Sequence, residues 1–502
     1  MKKLKNAIII VVSILITISC NYQNKNEREI KQYLDNKEVE YELICKEAGL
    51  EVWKFYSDTT HNSMSNYKQK FYQFYKDDTL IHNISLWSKN LDKIENDTVK
   101  KRIELWQNII TCAQVDFDSK IIELQDNLET QIAEYPSEKH TKEEIEIKIK
   151  ELISLRNNKA KALGYSNYAY MILQNTGIDT LWFEKLIDVI DNVTLPKYNE
   201  FVQTIKEKKD TDSIEYTDIR DYIIKSYQLN DFPNIDKDKM EVLLEITLKN
   251  IGLDINKMPI QFQIADLPPG IGGFGNCIDI PSDFRAVVKQ DLSFRYVLHE
   301  IGHGLHLTNV KTKSPILKGY EWSTGNSADT YSEAMAETIG KFSQNSYWLQ
   351  KNGYSESQID SLIQLRKEIA PIWLRLELIR SLYEIELYKN PKKSAIEIKN
   401  ELYKKYLLIN KDFSKNANLI MLSYVSYPVY EQNYLIADII SWQIHDYLAN
   451  KFGKEYAFNK DVGEFLIKNC WKDGELLAWR NRLIKSTETD LDIEGYLKYN
   501  GF

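Results

Sequence analysis

From Glu27 to about Asn250 the chain contains almost nothing that would stop an α-helix. Val39–Tyr56, Thr98–Tyr135 and Thr141–Asn157 each carry apolar residues at three- and four-residue steps among Lys and Glu, the spacing that turns one helix face toward a core. Only 19 Gly and 11 Pro interrupt 502 residues, so long helices are expected over most of the length. Gly164 is expected to end one helix and begin a turn, and the charge run Lys206–Asp212 to be a solvated face or turn. The predicted fold class is mainly α. No Pro/Gly/Ser linker, low-complexity block or internal repeat divides the chain. Residues 27–502 are therefore expected to form a single helical domain, although the length alone would admit roughly two to four.

The pattern changes between Met258 and Lys289. Ile260–Ile264 alternates, Leu267-Pro268-Pro269-Gly270 and Gly272-Gly273 read as turns, and Phe284–Val288 is rich in strand formers. A small sheet of two or three strands is expected there. Its edge could hold an extended peptide backbone by strand addition, or the sheet could simply buttress the helix that follows, and both readings stand.

That helix carries the chemistry. In Ser293-Phe294-Arg295-Tyr296-Val297-Leu298-His299-Glu300-Ile301-Gly302-His303, Ser293 is a natural N-cap, and Phe294, Val297, Leu298, Ile301 and Leu305 recur at helical spacing. Four residues of helix rise roughly 6 Å and turn slightly more than once, so His299 and His303 project from one face and can grip one metal ion. Glu300 is placed to reach a water on that ion without being a ligand. Gly302 breaks the helical preference by up to about 1 kcal/mol, which implies that something packs closely against it. Histidine is scarce, 7 in 502 residues, so a chance H-E-x-x-H is improbable.

A third ligand is needed. Asp329 to Thr338 reads as a helix, with Glu333 and Glu337 four apart on one face. Glu333 is the expected ligand, and Glu337 the carboxylate that accepts the outer N–H of a ligating histidine. Glu321, in the Gly/Ser/Thr-rich segment Gly319–Ser327, competes with Glu333 but lacks the support of a helix. His306 lies near the same face as His299 and His303, yet a catalytic zinc keeps its fourth position for water, so His306 is not expected to bind.

Met1–Ser19 has Lys2, Lys3 and Lys5, an apolar run from Ala7 to Ile18, and Ser19 before Cys20. This resembles a bacterial lipoprotein signal, with Cys20 lipidated and residues 20–26 a polar tether, although Thr17 stands where such signals usually have Leu. An ordinary cleaved signal with an incidental Cys is the alternative. The location expected is the bacterial cell envelope, periplasmic or surface, with membrane contact through the lipid only. A net charge of −8 excludes nucleic acid as the main partner. Cys45, Cys112, Cys277 and Cys470 are far apart and spell neither a zinc ribbon nor a disulfide framework.

The H-E-x-G-H helix, followed by a helix with E-A-x-x-E, resembles the gluzincin zinc peptidases of the angiotensin-converting enzyme and thimet oligopeptidase types. Further echoes lie at Leu155–Tyr168, Tyr427–Tyr434 and Trp479–Tyr499. The resemblance implies a large helical ellipsoid of two halves around a deep channel, with one Zn2+ per chain at its floor and short or unfolded peptides as substrates. It matches His299, His303 and Glu333 to the zinc ligands, Glu300 to the catalytic base and Glu337 to the outer carboxylate. Tyr430 and Tyr434 fall where tyrosines hydrogen-bond the tetrahedral intermediate; on residue pattern alone they could equally be packing tyrosines.

The family also has a histidine shortly before those tyrosines. Here the stretch is Leu422-Ser423-Tyr424, and no histidine lies between His306 and His445. A lost oxyanion donor costs about 3 kcal/mol, and Ser423, Tyr424 or a nearby tyrosine is left to replace it. The expected activity is zinc-assisted peptide hydrolysis of oligopeptidase or dipeptidyl carboxypeptidase type, with Glu300 moving the proton from water to the leaving amine. Two alternatives stay open: a catalytically impaired peptide-binding lipoprotein on the same fold, and a hydrolase for a non-peptide amide.

Overall fold

Helix starts fall where capping chemistry is written. Thr141 and Glu144 form a reciprocal capping box, Thr141 Oγ1 accepting from the Glu144 amide at 3.3 Å and Glu144 returning to the Thr141 amide at 3.0 Å, and the helix Lys142–Ala162 follows. It ends at Gly164, whose φ of +93° is the left-handed conformation glycine adopts freely. The single helix expected over Thr98–Tyr135 is instead two, Asp97–Asp116 and Ser119–Glu134. The chain turns between them at Phe117, whose ring is pinned 5.4 Å from each of the Phe71 and Tyr75 rings.

The computed structural model describes residues 26–502, apart from 58–64, 135–140, 231, 234, 236, 266, 268–271, 290–292, 322–323, 327 and 411–421. For residues 2–25, 56, 65, 133–134, 226, 230, 237–238 and 422–423 it describes backbone alone. The first helix spans Lys2–Ser57. The signal segment 1–19, the Cys20 lipidation and all but the last residue of the tether 20–26 thus lie outside the described side chains, as do most of the expected Leu267–Gly270 turn and the side chain of Ser423. Among the described residues no helix is long and apolar enough to cross a membrane.

The sheet has three strands, β1 (Ile260–Ile264), β2 (Gly273–Asp279) and β3 (Asp283–Val288), in the order β1-β3-β2. β1 runs parallel to β3, with Ile260 opposite Phe284, and β2 runs antiparallel to it, with Gly273 opposite Val288. Gly273, read from sequence as part of a turn, therefore opens a strand. The pairing needs a residue without a side chain, because a Cβ there would stand 2.8 Å from Val288 Cγ1.

Four layers then stack in succession. The sheet carries the histidine helix (Phe294–Thr308), which packs on the carboxylate helix (Ala328–Gly340), which in turn packs on Gln432–Phe452. Glycines set the first two spacings. A Cβ on Gly304 would meet Phe284 Cδ1 at 2.6 Å, and one on Gly302 would meet the Ala336 backbone at 2.7 Å. The close approach that Gly302 implied is thus with the carboxylate helix. A hydrophobic core extends from Ile30 to Tyr496. The fold is mainly α with a small sheet beside the histidine helix, and a cleft of about 930 Å³ opens above that helix. Cys45, Cys112, Cys277 and Cys470 are buried free thiols.

Candidate metal centre

The histidine helix begins at Ser293, whose side chain accepts the Tyr296 amide at 3.3 Å, and both its faces are covered. Its frame is therefore fixed before any side chain is considered. His299, His303 and Glu333 offer ligand atoms that all lie within 4.8 Å of one another, at the floor of the cleft. Glu333 Oε2 stands 3.4 Å from His299 Nε2 and 3.8 Å from His303 Nε2. Two ligands about 2.0–2.1 Å from one small cation at the tetrahedral angle stand roughly 3.3–3.4 Å apart, a spacing that the Glu333–His299 pair meets and the Glu333–His303 pair exceeds by a few tenths of an ångström. Glu333 Oε2 is also buried without any hydrogen-bond partner, an orphan that such a cation would satisfy.

The outer nitrogens of both imidazoles are engaged, which fixes their tautomers. His299 Nδ1 donates to Glu337 Oε1 at 3.1 Å. His303 Nδ1 lies 3.0 Å from Ser332 Oγ, which itself donates to Glu321 Oε1 at 2.8 Å, so the serine accepts from the imidazole. In each ring Nε2 is left to face the centre. Glu337 is anchored in turn by Arg295 and by Lys341 at 2.9 Å, and Lys341 also binds Asp438 and Ser441.

The electrostatics of the pocket favour a positive charge. Burial would lower the His299 pKa, yet the Glu333 and Glu337 carboxylates overcome it and hold the imidazole at about 10. Burial lowers His303 to about 4. Burial, reinforced by Glu333, raises Glu300 to about 7, against the opposing pull of His299. Burial likewise raises Glu321 to about 7. Glu300 lies against β2, where a Cβ on Gly275 would stand 3.2 Å from its Oε2, so the absence of a side chain there gives the carboxyl its room.

Tyr430 is brought to the centre, its hydroxyl donating to Glu333 Oε1 at 2.7 Å. Tyr434 stands beside it, ring centroids 5.5 Å apart, but Tyr430 belongs to the turn before Gln432–Phe452 rather than to the same helix. Tyr424 points elsewhere, its ring 5.4 Å from Tyr383 in a separate small cavity. His306 turns away too: its ring lies 5.9 Å from that of Tyr331, and it is absent from the candidate ligand group.

Several partners were not read from the sequence. Arg295 is four residues before His299 and Lys341 four after Glu337, a helical spacing that could have shown both. Glu321, which sequence reading weighed as a ligand, instead serves His303 through Ser332, and nothing local signals that. Nor does anything local signal Glu384, which lines the cleft and accepts the Val429 and Tyr430 amides. Burial raises its pKa to about 8 although those amides pull it down.

No protein-family model matches the chain, and no curated protein matches it in sequence. Solved structures do. Metallocarboxypeptidase 1 of Trypanosoma cruzi is similar with a TM-score of 0.66 and 14% identity over 95% of this chain and 98% of that one. An M32 carboxypeptidase from Deinococcus radiodurans R1 gives 0.66 and 13% over 94% and 98%. A carboxypeptidase from Pyrococcus furiosus gives 0.64 and 15% over 94% and 98%. These metallocarboxypeptidases are a different family from the angiotensin-converting enzyme and thimet oligopeptidase types that the motifs resemble, and a zinc peptidase is what the two have in common. With 94–95% of its length covered at low identity, the chain shares the fold of these carboxypeptidases.

Proposed function

We propose that the protein is a zinc-dependent peptidase acting on short or unfolded peptides that enter the cleft. The observation that carries this reading is the orphaned Glu333 Oε2 facing two imidazole Nε2 atoms, with the Glu300 carboxyl beside them at the cleft floor. A zinc ion held by His299, His303 and Glu333 would supply Lewis acidity and the acidification of a water molecule to near neutral pH. Glu300 takes the proton of the attacking water and delivers it to the departing amine. The Tyr430 hydroxyl, whose one proton goes to Glu333 Oε1 in the resting structure, turns from that carboxylate to donate to the developing oxyanion, with Tyr434 next to it.

Removal of residues from the C-terminus is the mode we favour over internal cleavage. The similar structures are those of carboxypeptidases. The cleft also holds a partly exposed cation, Arg380, already paired with Glu377 at 2.9 Å and Glu431 at 2.8 Å, so that a substrate carboxylate would compete with them for it. Lys68 and Arg295 keep 7% and 8% of their side chains exposed, whereas Arg380 keeps 40% and stands 5.7 Å over the Tyr434 ring, where a terminal carboxylate could reach it. The Lys-rich, apolar start ending in Ser19-Cys20 supports a lipid anchor outside the cytoplasm as part of the same reading.

The test is to incubate zinc-loaded protein with a defined peptide mixture and follow the fragments by mass spectrometry. Stepwise shortening from the C-terminus is expected; internal fragments would replace the carboxypeptidase mode with the oligopeptidase one. The absence of a histidine between His306 and His445 favours one second reading, a peptide-binding protein with little turnover, which would retain peptides intact.

A further inference from the structure

Tyr430 reaches the metal group from a turn, and that turn is held in a conformation its sequence does not prefer. Val429 has φ of +61°, the left-handed region that a β-branched residue rarely enters. The peptide groups on either side are gripped by one side chain. Glu384 lies on the helix Glu356–Lys389, 45 residues away, and is 2% exposed. Its Oε1 accepts the Val429 N–H at 3.0 Å, and its Oε2 accepts the Tyr430 N–H at 3.2 Å. The turn is completed from its other side by Gln432 Nε2, which donates to the Val429 carbonyl at 2.7 Å, and by the Asn433 amide, which donates to the Tyr430 carbonyl at 2.9 Å.

A carboxylate in this place is informative because it is buried and its two oxygens are spent on two adjacent amides, not on a cation. Holding consecutive N–H groups fixes both the positive φ at Val429 and the direction in which the Tyr430 side chain leaves the backbone. Serving the orphan amides alone would need no tyrosine at this position. Yet the side chain so directed delivers its hydroxyl to Glu333 Oε1 at 2.7 Å.

We propose that Glu384 is a positioning residue: by clamping the Val429 and Tyr430 amides it aims the Tyr430 hydroxyl at Glu333 and at the carbonyl to be cleaved. The catalytic half of this statement rests on the peptidase reading, whereas the Glu333 half does not. A tyrosine bonded to a ligating carboxylate acts on metal affinity, and loss of such an outer partner typically weakens binding ten- to a hundredfold.

The experiment compares Glu384→Gln, Tyr430→Phe and the double variant, each checked for folding by circular dichroism. Glutamine keeps one acceptor and turns an N–H2 toward the second amide. The first readout is the zinc dissociation constant by competition with a chelator, which needs no activity. Each single variant is expected to bind zinc about tenfold more weakly, and the double variant no more weakly than either. The second readout is peptide hydrolysis, where kcat is expected to fall by at least about tenfold with KM within about twofold, again without further loss in the double variant. If Glu384→Gln does not fold, Glu384→Asp carries the same comparison, since it keeps the carboxyl group and withdraws it by one methylene. Unchanged zinc affinity and kcat in a folded Glu384 variant would overturn the proposal, as would losses that multiply in the double variant. Wild-type protein that binds zinc but cleaves nothing would sink the peptidase reading, and the zinc arm would still decide the clamp.

Discussion

The residues that bind the candidate metal and the tyrosine that faces them are held in opposite ways. His299, His303 and Glu333 sit on two helices locked at Gly302 against Ala336, so backbone periodicity and one close contact place all three. Tyr430 sits on an irregular turn with Val429 at positive φ, placed by Glu384 from a distant helix. Metal ligation tolerates little error in where three atoms stand, and it is built on the stiffest parts. A hydroxyl that must meet a charge developing during reaction is carried on a part whose position can be tuned separately.

Substitutions on the rigid side should break metal binding first. Glu333→Ala removes a ligand and leaves its two imidazoles without their shared partner. Zinc affinity is expected to fall by more than the ten- to hundredfold that outer partners contribute, measured by equilibrium dialysis. Ser332→Ala frees the Nδ1 proton of His303 from its serine and from Glu321, and an affinity loss of about ten- to a hundredfold is expected. Retained affinity in Ser332→Ala would show that helix geometry alone orients His303. Gly302→Ala drives a methyl toward the Ala336 backbone and is expected to cost about 1–3 kcal/mol in urea unfolding. It should weaken zinc binding as well, because the two ligand-bearing helices must part.

A further effect, away from the metal group, concerns acid. His445 joins Gln432–Phe452 to the carboxylate helix, donating from Nε2 to the Thr338 carbonyl at 2.8 Å and accepting the Tyr456 hydroxyl at Nδ1, also at 2.8 Å. Burial lowers its pKa to about 3, against an ordinary value of 6.5. As pH falls below 6.5 the unfolded chain takes up this proton and the folded one does not, so stability drops from about 6.5 down toward 3. The loss is up to about 1.4 kcal/mol per pH unit from this group. In urea titrations at stepped pH, His445→Gln should flatten that slope; an unchanged slope would remove His445 as its source.

What could be read from the sequence follows the same division. H-E-x-x-H and the pair Glu333 and Glu337 are local patterns that helical spacing makes legible, and the discordant Gly302 signalled a close approach whose partner, Ala336, only the structure identifies. The β1 and β3 strands were legible in alternation and β-branched runs, whereas β2 was hidden because its first residue, Gly273, reads as a turn and only Val288 across the pairing explains it. Ser332 linking His303 to Glu321, and Glu384 holding the Tyr430 turn, join residues 11 to 46 positions apart through irregular segments. No periodicity encodes such contacts. Tyr430 and Tyr434 were found only through the resemblance, and pattern alone could not distinguish them from packing tyrosines.

Glu300→Gln tests the role of the base most directly. The substitution is nearly isosteric and removes no ligand, so zinc content measured by atomic spectroscopy should equal that of wild type. Peptide hydrolysis, followed by mass spectrometry on the same zinc-loaded samples, should fall by about 10²–10⁴-fold. Cleavage by Glu300→Gln within a few-fold of the wild-type rate, with zinc still bound, would contradict the assignment of Glu300 as the base.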